Sequence, residues 1–239
     1  MKLVNSTVRL AVGLTILGGL TACGSDNEPV VSNPPPTPPP IEMKTFEVTL
    51  SNLTYGQPLS PAALLLRNEG ALWEIGQMAS VEVERIAEGG DNSALLSLAG
   101  NKVTASADGP LEPGMSQTFS LQLEATESAN LTLVTMLVNT NDAFTGLTGL
   151  NLDAMQLNDS WSMTSGIYDA GTEANSELAG TIPGPADGGV GFDAMRDDVD
   201  FVAMHPGVVR QDDGKADSVL TQMHRFDNPA IRIRITRVE

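Results

Sequence analysis

Thr45-Phe46-Glu47-Val48-Thr49-Leu50 puts Phe46, Val48 and Leu50 on one side of an extended chain and Thr45, Glu47 and Thr49 on the other. Successive side chains of a strand point to opposite faces, so this period of two predicts a half-buried strand. The alternation returns in residues 117–125, with Phe119, Leu121 and Leu123 inward. It returns again in residues 230–238, where Ile231, Ile233 and Ile235 oppose Arg232 and Arg234. Residues 131–138 are nearly all apolar, which predicts a central strand covered on both faces. Further strands are predicted at 102–106, at 161–168 with Trp161, Met163 and Ile167, and at 201–204.

Between these strands lie turn signals. Gly56, Pro58 and Pro61 punctuate the stretch after the first strand, and Asp108-Gly109-Pro110 and Pro113-Gly114 follow later. Leu72, Ile75, Met78, Ala79, Val83, Ile86 and Ala87 recur at helical spacing and end at Gly89-Gly90. They predict an amphipathic helix packed on a sheet. A second short helix is predicted through Leu95, Leu96 and Leu98, with Asp91 as its cap. Residues 180–200 are rich in Gly, Pro and Asp and predict a long surface loop. The fold class expected is all-β, an antiparallel β-sandwich with one or two short helices.

The chain has 239 residues, with a formal net charge of −17. Phosphate contacts need clusters of Lys and Arg, so nucleic-acid binding is not expected. Cys23 is the single cysteine, and no intramolecular disulfide can form. Lys2 and Arg9 begin a positively charged start, followed by an apolar run from Leu10 to Leu20. That layout predicts a signal peptide over 1–22 rather than a membrane span. Leu20-Thr21-Ala22-Cys23 resembles the bacterial lipobox, in which the cysteine is lipidated and becomes the first residue. The resemblance implies a membrane partner through a lipid on Cys23 and an address in the cell envelope, at the outer membrane. Residues 23–42 carry Pro34-Pro35-Pro36 and Pro38-Pro39-Pro40, which predict an extended spacer. The folded domain is expected over 43–239.

Two acidic stretches stand out. Tyr168-Asp169-Ala170-Gly171-Thr172-Glu173 holds two carboxylates four residues apart around a glycine. Met136-Leu137-Val138-Asn139-Thr140-Asn141-Asp142 runs off the apolar strand into a third. Spacing alone leaves two readings of the first stretch open. Asp169 and Glu173 fit the cap and first turn of a helix, or two donors to a cation. Asp197, Asp198 and Asp200, and Asp212, Asp213 and Asp217, read as solvated loops. His205-Pro206-Gly207 reads as a packed turn, since His205 and His224 are too few donors for a zinc site.

These blocks, with Phe46-Glu47-Val48-Thr49-Leu50-Ser51-Asn52-Leu53-Thr54, Gly76-Gln77-Met78-Ala79-Ser80, His205-Pro206-Gly207 and Ala230-Ile231-Arg232-Ile233, resemble the spondin N-terminal domain family. The likeness runs over about all of residues 43–239. It implies a β-sandwich that binds calcium at one end, through Asp142, Asp169 and Glu173. Two departures are visible. Glu173 stands where the family has an aspartate, and Thr140-Asn141-Asp142-Ala143 stands where animal members have Ser-Pro-Asp-Trp. Glutamate is an ordinary Ca²⁺ ligand, so the resemblance still implies Ca²⁺ as the cofactor.

No Gly-x-Ser-x-Gly elbow, phosphate loop or His-Glu-x-x-His helix occurs in the sequence. The function expected is therefore a lipid-anchored binding, adhesion or structural module, not an enzyme. Its partner would be an extracellular protein or surface ligand. The alternative is a hydrolase that uses the same acids as a catalytic pair.

Overall fold

A computed structural model of the chain describes residues 38–128, 130–227 and 229–239. The leader over 1–22, Cys23 and the linker as far as residue 37 lie outside the described residues. Residues Pro40–Glu239 form a compact unit. Its elements in order are β1 (Met43–Asn52), β2 (Ala63–Arg67), α1 (Val81–Gly89), α2 (Ser93–Leu96), β3 (Asn101–Ser106), β4 (Ser116–Glu124), β5 (Asn130–Met136), β6 (Ala143–Asn151), β7 (Ser160–Ser165), β8 (Ile167–Asp169), β9 (Ala203–Met204) and β10 (Ile231–Arg237). Among the described residues no helix is long and apolar enough to cross a membrane.

The strands build an antiparallel β-sandwich. One sheet has the order β4-β1-β10-β7, the other β3-β2-β5-β6-β8-β9. The three alternating segments become neighbours in the first sheet, with Val48 opposite both Phe119 and Ile235. Their inward residues meet Leu64, Leu66, Leu131, Leu133 and Leu147 of the second sheet in the main core. Each large apolar side chain buried there contributes about 1.5–3 kcal/mol. The outward face of the first sheet is polar and is laced by hydroxyl pairs, Thr49 with Thr118 at 2.8 Å and Ser51 with Ser116 at 2.7 Å.

The second sheet is covered on both faces. Its outer side carries Ala63, Leu65, Val134 and Phe144, packed against Val83, Ile86 and Ala87 of α1 and against Trp73 and Leu95. This two-sided burial explains the uninterrupted apolar run of β5. It also explains Ala63-Leu64-Leu65-Leu66 in β2, a strand that the sequence reading did not anticipate.

Three expectations are corrected. The helical periodicity starts at Leu72, but α1 begins only at Val81. The Ser80 hydroxyl accepts the Val83 N–H and caps the helix there. Upstream, Gly76 has φ +84° and breaks the helical path, and Ile75 and Met78 are exposed. Trp73 is buried from an irregular segment instead of from a helix. The strand expected over 161–168 is two strands in different sheets. β7 ends at Ser165, paired with Ile231, and β8 starts at Ile167, paired with Thr145. The chain turns the corner at Gly166, and the Ser165 hydroxyl fastens it by donating to the Gly146 carbonyl at 2.6 Å. Residues 180–200 have no helix or strand, yet Ile182 is fully buried, so this loop lies partly within the core.

Candidate metal centre

Asp142 stands one residue before β6, and Asp169 ends β8. These strands pair with Ala143 opposite Asp169, which carries both acids to one end of the second sheet. The turn before Asp142 is shaped by Thr140, whose hydroxyl donates to the Leu137 carbonyl at 2.6 Å and accepts the Ala143 N–H at 3.1 Å. Asp142 is fully buried. Its Oδ2 accepts the N–H groups of Thr172 at 2.9 Å and Glu173 at 3.2 Å. Its Oδ1 is buried with no hydrogen-bond partner.

Asp169 is also buried. Its Oδ1 accepts the Gly171 N–H at 2.8 Å, and its Oδ2 accepts from Asn175 Nδ2 at 2.7 Å. No helix follows, so the capping alternative for Asp169 gives way to a side-chain-closed turn. Gly171 makes that turn at φ +70°, and a Cβ there would lie 2.3 Å from the Phe201 carbonyl oxygen. No side chain fits at that position, which explains the glycine between the two acids.

The third residue gathered here is His205. Among the described residues, ligand atoms of Asp142, Asp169 and His205 lie within 4.8 Å of one another. His205 Nε2 is 3.9 Å from Asp169 Oδ2. The imidazole is nevertheless committed on both sides. Asn175 gives its amide N–H to Asp169, so its Oδ1 faces His205 Nε2 at 2.9 Å and accepts the ring N–H. His205 Nδ1 then accepts the Gly207 N–H at 3.0 Å. In this tautomer, which follows from the hydrogen-bond network, the ring has no spare lone pair for a cation. It orients Asn175, which orients Asp169. The packed turn read from His205-Pro206-Gly207 is present. Its closeness to Asp169 was not legible, because only the pairing of β8 with β9 brings residue 205 there.

Glu173 lies apart from this group. Its Oε1 accepts from Asn141 Nδ2 at 2.8 Å, and its Oε2 is buried without a partner. The charges felt by its carboxyl come from Glu88, Asp197 and Asp193. The structure thus joins Asp142 to Asp169 and ties the Glu173 side chain to Asn141 instead. The acidic stretch around Asp198 is not simply solvated, since Asp198 is held up by partial burial and by the Asp169 charge. Asp213 does stay at the surface, bound to Arg210.

Burial, then the neighbouring Asp169 carboxylate, push Asp142 up to about 8, against the pull of the Thr172 and Glu173 N–H groups. Burial first, with Glu88 adding, pushes Glu173 up to about 7. Both folded values exceed the unfolded ones of 3.8 and 4.5. The stability these groups contribute is therefore full below about pH 4 and is lost as pH rises through about 7 and 8. His205 has the opposite sign. Burial lowers it from 6.5 to about 4, so rising pH adds stability between those values and nothing above them. The window from pH 6.5 to 8 isolates the carboxyls. In chelator, the melting temperature is expected to fall there by roughly 5–10 °C, from about 1.4 kcal/mol per proton and pH unit and ~2–4 °C per kcal/mol. Asp142→Asn should flatten most of that slope. A wild-type curve flat across the window would show that the two acids are not buried without a counter-charge.

No protein-family model matches this chain, and no curated protein matches it.

Proposed function

We propose that the Pro40–Glu239 unit is a calcium-stabilised binding or structural module of the spondin type, held at the bacterial outer membrane by a lipid on Cys23. The observation that carries the metal reading is Asp142 Oδ1. It is a buried, unpartnered carboxylate oxygen beside a second buried carboxylate. Ionised at neutral pH, that pair is costly unless a cation neutralises it. Two carboxylates with backbone carbonyls and water are a hard-oxygen donor set, which suits Ca²⁺. Asp142 and Asp169 would hold the ion. Glu173 joins them only if its side chain turns away from Asn141.

The same burial favours a module over a hydrolase. Asp142 and Asp169 are 0% and 4% exposed, which leaves a substrate no direct approach to them. The spondin likeness supports the domain type through the residue blocks quoted above, and the sandwich observed is the fold that likeness implies.

Thermal melting tests the reading. At 100 times its dissociation constant, Ca²⁺ stabilises a one-site protein by about 2.7 kcal/mol. For a unit of this size that raises the melting temperature by roughly 5–10 °C over the chelated protein. Asp169→Ala should abolish the gain. Equal melting temperatures in chelator and in millimolar Ca²⁺ would overturn it.

A further inference from the structure

We infer that a cleft at the C-terminal end of α1 binds a small alkylamine, with its ammonium at Glu112 and its hydrocarbon stem against a wall of prolines. The cleft has a volume of about 420 Å³. Small-ligand sites usually measure about 300–1,000 Å³ and are lined by apolar groups with a few polar ones. Its walls come from residues 58–61, the end of α1 at Gly89 and Gly90, residues 110–112 and residues 183–185, with Met136 and Val138 completing the lining. Three of these segments are fixed to one another. The Leu59 N–H donates to the Leu111 carbonyl at 3.0 Å, and the Leu111 N–H returns to the Leu59 carbonyl at 2.9 Å. The Val138 N–H donates to the Pro58 carbonyl at 3.1 Å. The cleft is therefore formed before a ligand arrives.

The lining selects the ligand's charge. Pro58, Pro61, Pro110, Pro183 and Pro185 all face the cleft, and proline has no N–H. Other main-chain donors are spent within the protein. The Ser60 N–H is on the Met136 carbonyl, the Met136 N–H on the Ser60 hydroxyl and the Gly90 N–H on the Ile86 carbonyl, each at 3.0 Å. Among the described residues no Lys or Arg lines the cleft. An anion finds little to hold it. A cation finds Glu112, which is exposed and whose carboxylate has no hydrogen bond or ion pair among the described residues. The C-terminal pole of α1, the negative end of its dipole, lies on the same wall at Gly89 and Gly90, and the last turn has no basic residue to offset it. One carboxylate is too few for Ca²⁺, which takes about six to eight oxygens. An ammonium has three donors and no acceptor, and suits a wall of acceptors. A hydrocarbon stem then covers the prolines, Met136 and Val138, which a bare ion would leave open.

This site uses neither Asp142 nor Asp169, so it stands or falls apart from the calcium reading. Cadaverine, a five-carbon diamine, is titrated calorimetrically into the full chain in chelator and at physiological salt. The salt screens the diffuse pull of the chain's −17 net charge. One equivalent is expected to bind. Caproate, a stem of like length ending in a carboxylate, should give no heat. Glu112→Gln keeps the size of the side chain and should weaken cadaverine at least tenfold. Because Glu112 is exposed, the melting temperature of that variant should match wild type. No cadaverine heat, equal binding of caproate, or an unchanged affinity in Glu112→Gln would each overturn the proposal. N-acetyl-lysinamide is the third probe and should bind more weakly than cadaverine. Tenfold tighter binding of the lysine derivative would overturn the small-ligand reading and assign the cleft to a lysine of a partner protein.

Discussion

Phe144→Ala is expected to destabilise the folded unit by about 3–5 kcal/mol, the usual range for emptying an aromatic site in a core. That corresponds to a melting temperature lower by roughly 6–20 °C. Phe144 is fully buried in β6. Its ring meets Trp73 edge-on at 5.2 Å and Tyr168 at 5.3 Å. Trp73 and Tyr168 also touch each other at 5.8 Å, so the three rings form one closed cluster. The cavity left by alanine has few ways to collapse, because strands hold two of its walls. The effect should reach the metal centre. Phe144 is two residues from Asp142 and pairs across the ladder with Tyr168, the neighbour of Asp169. The Ca²⁺-dependent gain in melting temperature should therefore shrink in this variant. Phe144→Leu keeps most of the volume and should cost far less. A loss under about 1 kcal/mol for Phe144→Ala would mean the ring does not pack as described.

Arg196→Ala is expected to cost about as much, by a different route. Arg196 pairs with Glu84, whose side chain is 3% exposed, and with Asp200. Replacing a whole buried ion pair by apolar residues is often neutral, but removing one partner strands the other charge and costs about 3–5 kcal/mol. Here the stranded group is the Glu84 carboxylate, inside the contact between α1 and the 190–200 loop. Denaturant unfolding of Arg196→Ala, Glu84→Ala and the double variant checks this. The double variant should recover most of the loss of Arg196→Ala. Additive losses in the cycle would show that the pair is not coupled.

Much of the first sheet was legible in the sequence. β1, β4 and β10 alternate because one face is buried and the other wet, and period-two reading detects that contrast. β2 and β6 escaped for opposite reasons. Ala63-Leu64-Leu65-Leu66 is buried on both sides and so has no alternation to see. Ala143–Asn151 carries Gly146 and Gly149, which weaken a strand pattern. Yet Gly146 sits where a Cβ would lie 1.9 Å from the Leu133 carbonyl, so close approach of two strands demands the glycine. The over-long helix has a similar origin. Leu72 and Trp73 share the α1 side of the core with Val83 and Ile86, and period-3.6 reading does not separate a buried turn from a buried helix.

The candidate site was half legible. The spondin resemblance implies Asp142 and Asp169 as ligands, each just after a predicted strand, and strand pairing does bring them together. The direction of Glu173 was hidden. Spacing along the chain fixes which loop carries a side chain, but the fold decides which side of the loop it faces. Asn141 settles that for Glu173, and it acts through tertiary contact.

β9 is only two residues long, and it forms one border of the six-stranded sheet. A border of that length offers an incoming chain almost no row of main-chain donors and acceptors to copy. The rim that carries the acids is thereby closed to polymerisation by strand addition. A molecule that docks there must be recognised by side chains and loops.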